Sequence, residues 1–153
     1  MRQGGSRNTG PFVVTFIVGM GGEHRSEGAR EVIMALRLIL EDCGRDVVLI
    51  RACGEIDHDT AEKWEGLVRC VIRRRSSAVV VDVGHLEYIS AGGLEVLLAL
   101  AANQLMLSGR LIVAGAHAGT RRLAQLVGLW DMAAEAPSVR AALHTAEDRS
   151  KEA

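Results

Sequence analysis

The spacing of apolar residues predicts a β-hairpin near the start of the regular part of the chain. Every second residue from Leu36 to Leu40 is leucine, which is the period-two pattern of a strand with one buried face. Turn-forming residues follow at 42–46, and Gly44 among them can adopt a positive φ. A second apolar segment, Val47–Cys53, comes directly after this turn. The two segments are therefore expected to pair as antiparallel strands.

Helical spacing begins after Asp59. Asp59 and Glu62 stand three residues apart, as in a capping box, and predict the start of a helix. The apolar residues that follow recur on one helical face, which comprises Trp64, Leu67, Val68, Val71 and Ile72. A second helix is predicted from Ala91 to Leu107, with Gly109 ending it. Its apolar face comprises Leu94, Leu97, Leu98, Ala101 and Leu105.

The remaining segments complete an alternation of strands and helices. Ala78–Val83 is almost wholly apolar, as expected of a central strand, and a loop is predicted over Gly84–Ser90. Arg110–Ala114 has the pattern of a strand, Thr120–Val127 that of a short helix, and Pro137 precedes a last helix. Strands separated by helices imply parallel crossover pairs. The predicted fold is α/β, a mixed sheet of four to five strands that opens with a β-hairpin and carries four helices.

The regular pattern marks out one domain, at residues 34–146. It lies between an N-terminal extension at residues 1–33 and a charged tail at residues 147–153 that we expect to fray. The extension is rich in Gly and Arg apart from one apolar stretch.

A possible codon choice for the end of the extension predicts a later start of translation. Arg30–Ile33 can be encoded by CGG GAG GTG ATC, and this string contains GGAGGTGAT, a bacterial ribosome-binding sequence. We therefore expect translation to start at Met34, so that residues 1–33 are absent or poorly packed. The alternative is a genuine extension, with an edge strand at Phe12–Val18 and a short helix at Ser26–Ile33.

Composition excludes several classes of function. Hydrophobic residues make up 48% and charged residues 24% of the 153 residues, as in globular domains. The net charge of −1 gives no reason to expect nucleic acid as a partner. The three cysteines lack the spacing of a disulfide framework or a zinc site, so we expect reduced thiols and a cytoplasmic protein. No apolar run approaches the roughly 20 residues of a membrane-spanning helix, and we expect no membrane association.

The chain also lacks the local signatures of enzymes. It contains neither the G-x-S-x-G motif of a nucleophile elbow nor a phosphate-binding P-loop. His58 and His85 have no cysteine or carboxylate at ligand spacing. We therefore expect no catalytic residue, no metal and no cofactor.

Five short segments, in order and at suitable spacing, resemble the STAS family, to which anti-sigma factor antagonists belong. The matching segments are Gly54–Asp57 with Asp59–Ala61, Val79–Val83, Tyr88–Leu94, Gly109–Leu111 and Val127–Leu129. The resemblance implies a regulatory domain that binds a partner and performs no catalysis. In this family, a serine at the start of the helix after the third strand is phosphorylated by an anti-sigma factor that is also a kinase, and the phosphate ends binding.

Applied to this chain, the resemblance places Ala91 at the position of the phosphorylated residue. Because alanine has no hydroxyl group, we expect binding without the usual switch. Ser90, one residue earlier, is interpreted as a helix cap or as a displaced phosphoacceptor. Gly92 is expected to let a partner backbone approach. The predicted partner-binding residues are Asp57, His58, Asp59, Ser90, Ala91, Gly92, Gly93 and Glu95.

The partner implied by the resemblance is an anti-sigma factor, a serine kinase of the histidine-kinase-like ATPase fold. A weak homodimer is left open. Two other functions remain as alternatives. STAS domains also serve as accessory subunits of lipid or anion transporters, and a groove near Ser90 could hold a small ligand. Asp57 is predicted to belong to the docking surface, whereas Asp59 is most simply a helix cap.

Overall fold

The computed structural model describes residues 13–19 and 34–151 of the chain. These residues form one six-stranded sheet in which the strands lie side by side in chain order. The strands are β1 (Val13–Gly19), β2 (Met34–Asp42), β3 (Val47–Ile56), β4 (Ala78–Ile89), β5 (Arg110–Ala114) and β6 (Ala134–Ala136). The helices are α1 (Ala61–Arg74), α2 (Ala91–Met106), α3 (Ala118–Leu126) and α4 (Val139–Lys151).

The predicted architecture is confirmed. Strands β1, β2 and β3 pair antiparallel, so β2 and β3 form the predicted hairpin, while β3 to β6 run parallel. Four helices pack around this mixed sheet in the described part of the chain. The sheet exceeds the expected four to five strands because β1, from the N-terminal extension, pairs with β2.

The side chains of the sheet build a core on each of its faces. Leu38, Ile50 and Val81 point to the face that α1 and α2 cover. Leu49 and Val80 point to the opposite face, where Ala142 and Ala146 of α4 pack against them. Alternation along each strand therefore divides the apolar residues between two helical layers.

Strand β4 is longer than the sequence pattern predicts. The expected loop at Gly84–Ser90 is strand as far as Ile89. Beyond Asp82 the strand pairs only with β3, since the β5 ladder ends at the pair Asp82 and Ala114. Two register shifts in the β3–β4 ladder interrupt the period-two pattern, which explains why the sequence resembles a loop. The extended strand carries the chain directly to the start of α2.

The ends of two helices also differ from the expectation. Helix α2 is followed by Ser108, which adopts φ 61°, so this serine and not Gly109 takes the left-handed conformation. Gly109 is required for space instead, because a Cβ there would lie 2.6 Å from the carbonyl oxygen of Ser77. Helix α4 continues to Lys151, so the predicted charged tail from residue 147 is largely helical.

Strand β1 lies where the alternative interpretation of the extension places an edge strand. The short helix proposed at Ser26–Ile33 falls outside the described residues. Strand β2 begins at Met34 itself, so a chain that starts there keeps the whole β2–β3 hairpin.

The start of translation at Met34 stays a prediction. We expect the protein purified from its native source to have the intact mass of residues 34–153. A native species that includes residues 1–33 would contradict this start.

Candidate functional site

The end of β3 and the start of α2 are joined by a backbone hydrogen bond. The Ser90 N–H donates to the Ile56 carbonyl oxygen at 2.9 Å. Ile56 and Ile89, both buried, are also register partners in the β3–β4 ladder. The loop that follows Ile56, with Asp57, is therefore held beside the first turn of α2. These two segments are the ones on which the sequence analysis places the partner-binding residues.

Ser90 caps helix α2, as the sequence predicts. Its backbone is extended, with φ −78° and ψ 168°, and its hydroxyl oxygen accepts a hydrogen bond from the Gly93 N–H at 3.0 Å. This arrangement satisfies one of the backbone donors that the first turn of a helix leaves without a partner. Ser90 is half-buried. Its hydroxyl group thus has a structural role in the unmodified protein.

The two adjacent glycines of α2 occupy different environments. Gly93 is buried, and a Cβ there would lie 2.8 Å from Ile56 Cγ2 and 2.9 Å from Ile89 Cγ1. Its inclusion among the surface residues was therefore wrong, since its role is to let α2 pack closely on the sheet. Gly92 is exposed, and the atom nearest to a Cβ at this position would be Ser90 Oγ at 3.8 Å. Gly92 therefore leaves open space above the helix start.

The side chain of Trp64 in α1 forms a hydrogen bond with the first turn of α2. Its indole is fully buried, and Nε1–H donates to the Gly93 carbonyl oxygen at 3.0 Å. This bond joins two residues that are 29 positions apart in sequence. Trp64 is also the first residue of the apolar face of α1. A buried donor and acceptor that satisfy each other fix position more strongly than apolar contact alone.

The loop before α1 is organised by Asp57, and the predicted cap at Asp59 was wrong. Asp57 Oδ1 accepts from the Asp59 N–H at 2.9 Å and from the Thr60 N–H at 3.2 Å. The residue that precedes α1 is Thr60, which is buried and whose hydroxyl donates to the Glu55 carbonyl oxygen at 2.9 Å. Asp57 is half-buried, whereas His58 and Asp59 are exposed. Asp59 is therefore open to solvent, while the Asp57 carboxylate holds the turn that precedes α1.

The exposed residues of both segments form one surface at the start of α2. We call it the α2 surface and define it by the exposed residues His58, Asp59, Tyr88, Ala91, Gly92 and Glu95 together with half-buried Asp57 and Ser90. Glu95 is exposed, as expected of a residue that lies outside the apolar face to which Leu94 and Leu97 belong.

Tyr88 was missed by the sequence analysis. Tyr88 is the only tyrosine in the sequence. It is 51% exposed, although it lies in a strand of the sheet. It lines a groove of about 320 Å³ together with His117 and Thr120. Exposed tyrosines are enriched at protein interfaces, and its place two residues before Ser90 was the available signal.

The surroundings of the α2 surface carry an excess of negative charge. Residues 55–63 and 85–95 contain six carboxylates and a single lysine, Lys63, although the net charge of the whole chain is only −1. The exposed members include Glu55, Asp59, Glu87 and Glu95. Such a surface favours a partner with a positively charged patch.

Among the described residues, no group of three His, Cys, Asp or Glu side chains could hold a metal ion. The three cysteines are free, and burial together with Glu41 and Asp42 raises the pKa of the Cys43 thiol. Buried Asp82 accepts a hydrogen bond from the Gly84 N–H at 2.9 Å. None of the helices in the described part has the length and apolar character needed to cross a membrane.

Comparisons with known proteins identify the family. A family model described as "Mlab, STAS domain" matches residues 26–134, a match that begins ahead of Met34. An anti-sigma factor antagonist from Mycobacterium paratuberculosis is 27% identical, covers 73% of this chain and 94% of its own, and superposes with a TM-score of 0.66.

Two further structures show the same fold at lower identity. The anti-sigma factor antagonist SpoIIAA in its unphosphorylated form is 20% identical, over 76% of this chain and 99% of its own, with a TM-score of 0.60. A Thermotoga maritima protein is 14% identical, over 69% of this chain and 92% of its own, with a TM-score of 0.63.

Proposed function

Because this chain belongs to the STAS domain family, we propose that it is an anti-sigma factor antagonist that binds its partner through the α2 surface. The partner is an anti-sigma factor and serine kinase of the histidine-kinase-like ATPase fold, in the cytoplasm. The proposal is supported by the 27% identity to an anti-sigma factor antagonist over most of both chains. Its main structural support is the exposed first turn of α2, which the bonds from Trp64 and Ser90 hold in place.

The same surface supports binding that phosphorylation does not control. Ala91 is the first residue of α2 and is exposed, and the resemblance aligns it with the family's phosphoacceptor. An alanine there cannot receive phosphate. The neighbouring Ser90 hydroxyl accepts the Gly93 N–H, so in the unmodified protein it is engaged as the helix cap. We therefore propose that the protein binds its partner constitutively.

Affinity purification of the native protein tests the proposed class of partner. We expect a histidine-kinase-like ATPase that is lost when the α2 surface is altered. Recovery of a transporter ATPase in its place would support the accessory-subunit alternative. A co-purified small molecule in native mass spectrometry, absent after a substitution in the groove beside Tyr88, would support the ligand-sensor alternative.

Charge changes at the α2 surface are expected to weaken partner binding without destabilising the fold. Glu95→Lys should cost about 1–3 kcal/mol of binding free energy, since Glu95 is exposed and the proposal places it in the contact. Isothermal titration gives the affinity, and chemical denaturation gives the free energy of unfolding. The matched control is Asp148→Lys, an equal charge change at an exposed position of α4 on the opposite side of the sheet. Equal losses of affinity in both variants would contradict a localised surface.

Asp57 requires a substitution that keeps its hydrogen bonds. Asp57→Ala should lower stability by about 0.5–2 kcal/mol, because it removes the acceptor for the Asp59 and Thr60 N–H groups. Asp57→Asn retains an oxygen at that place and removes the charge. We expect the asparagine variant to weaken binding while remaining close to the native protein in stability. If only the alanine variant binds less well, Asp57 acts through the fold and not through contact.

A further inference from the structure

Strand β1 pairs with β2 along the outer edge of the sheet, although many residues separate the two strands in sequence. Its register runs from the pair Val13 and Glu41 to the pair Gly19 and Met34, with a shift after Val18. Gly19 and Met34 are therefore neighbours, and about two to five residues would suffice for a hairpin between them. The chain uses residues 20–33 instead. The two strands are thus separated in sequence by more residues than a hairpin needs.

Beneath β1, strand β2 has a sequence that is complementary to itself. In an antiparallel pair of two β2 strands centred on Ile39, each Arg37 stands opposite Glu41 of the second copy. Leu38 then stands opposite Leu40 of the second copy, on the face that carries the core. Arg37 is exposed and Glu41 is half-buried, so both reach the surface of the sheet. Opposite charges placed directly across two strands stabilise the pair, and like charges destabilise it.

We propose that the edge of β2 is a homodimerisation surface that β1 occupies in the monomer. When β1 leaves, the N–H and C=O groups on that edge of β2 lose their partners and can pair with another strand. A second copy of this chain offers the same edge, and pairing about a twofold axis through Ile39 is self-complementary. The result is a continuous sheet through both copies. A chain that begins at Met34 would lack β1 and dimerise directly.

The test displaces β1 within the full chain. Successive residues of a strand direct their N–H groups to opposite sides, so the double substitution Thr15→Pro and Phe16→Pro removes a donor to β2 whichever residue supplies it. We expect the unsubstituted full chain, residues 1–153, to sediment as a monomer and this variant as a dimer in analytical ultracentrifugation. A folded variant, judged by circular dichroism, that stays monomeric at the highest concentration reached would overturn the proposal.

Charge exchange tests the register of the dimer. In the proline variant, Arg37→Glu or Glu41→Arg alone should weaken dimerisation roughly tenfold, because two symmetry-related pairs become repulsive. The two changes together should restore it, since each pair is again of opposite charge. Dimerisation that is indifferent to the single changes, or that the combined change does not restore, would refute pairing centred on Ile39.

A cross-linking experiment covers the case in which the proline variant does not fold. Ile39→Cys is introduced into the full chain with Cys43, Cys53 and Cys70 replaced by serine, and the protein is oxidised at increasing concentration. The twofold axis brings the two introduced thiols opposite each other, so a disulfide-linked dimer should accumulate with concentration. The control is Asp148→Cys in the same background, at an exposed position of α4. Equal cross-linking at both positions, or none at residue 39, would overturn the proposal.

Discussion

Replacing Ala91 with glutamate is expected to reduce the affinity for the partner by about a hundredfold or more. The free protein should accept the change, because Ala91 is exposed and a carboxylate in the first turn of a helix is favoured by the helix dipole. In the complex the same carboxylate would be buried without a partner, which costs about 3–5 kcal/mol. The acidic surroundings of the α2 surface add repulsion if the carboxylate turns back toward Asp59 or Glu95.

Titration of the partner with native and Ala91→Glu protein measures this effect. Thr145→Glu serves as the control, because it places the same charge at an exposed position of α4. Both variants should unfold at denaturant concentrations close to that of the native protein. Full affinity of the Ala91→Glu variant would show that the first turn of α2 lies outside the contact.

Removal of the Trp64 side chain is expected to produce the largest loss of stability. Trp64→Ala should lower the free energy of unfolding by about 3–5 kcal/mol, since the indole is fully buried between α1 and the start of α2. Trp64→Phe fills part of the space but leaves the Gly93 carbonyl oxygen without its donor. That loss should amount to about 1–3 kcal/mol.

The second tryptophan of the chain provides the control for the indole hydrogen bond. Trp130 is half-buried, and its Nε1–H donates to the Arg121 carbonyl oxygen at 3.2 Å in an exposed setting. Because water can replace that donor, Trp130→Phe should cost less than Trp64→Phe in urea denaturation. Equal losses for the two phenylalanine variants would mean that the buried bond to Gly93 adds nothing to stability.

Local signals predicted the elements of this fold, whereas long-range pairing determined where one of them ended. The alternation of leucines in β2 and the apolar run at the start of β4 were sufficient to place both strands. The second half of β4 contains Gly84, His85 and Glu87, and its register with β3 shifts, so no regular period marks it as a strand. Only the presence of β3 alongside makes that segment extended. A single sequence does not display such pairing.

The candidate site was predictable where its geometry is local. Ser90 was recognised as a cap because its oxygen bonds a residue three positions ahead. Asp57 and Asp59 are both acidic residues before a helix, and the sequence does not show which carboxylate accepts the N–H groups of the turn. That depends on the position of Thr60, whose hydroxyl donates to the Glu55 carbonyl oxygen. Gly92 and Gly93 are identical in sequence terms, and only the packing of α2 on Ile56 and Ile89 distinguishes the open position from the buried one.

The central claim is that the start of α2 binds an anti-sigma factor kinase, and that the kinase does not end this binding by phosphorylating the protein. The most direct test is the affinity of the native chain for that kinase, measured before and after incubation with ATP and magnesium. The companion variant is Ala91→Ser, which restores a hydroxyl group at the first position of α2.

We predict that the native chain keeps its affinity and carries no phosphate. The serine variant should become phosphorylated and lose binding, because the phosphate brings close to two negative charges to the contact. Stoichiometric phosphate on Ser90 of the native chain, accompanied by loss of binding, would contradict the account.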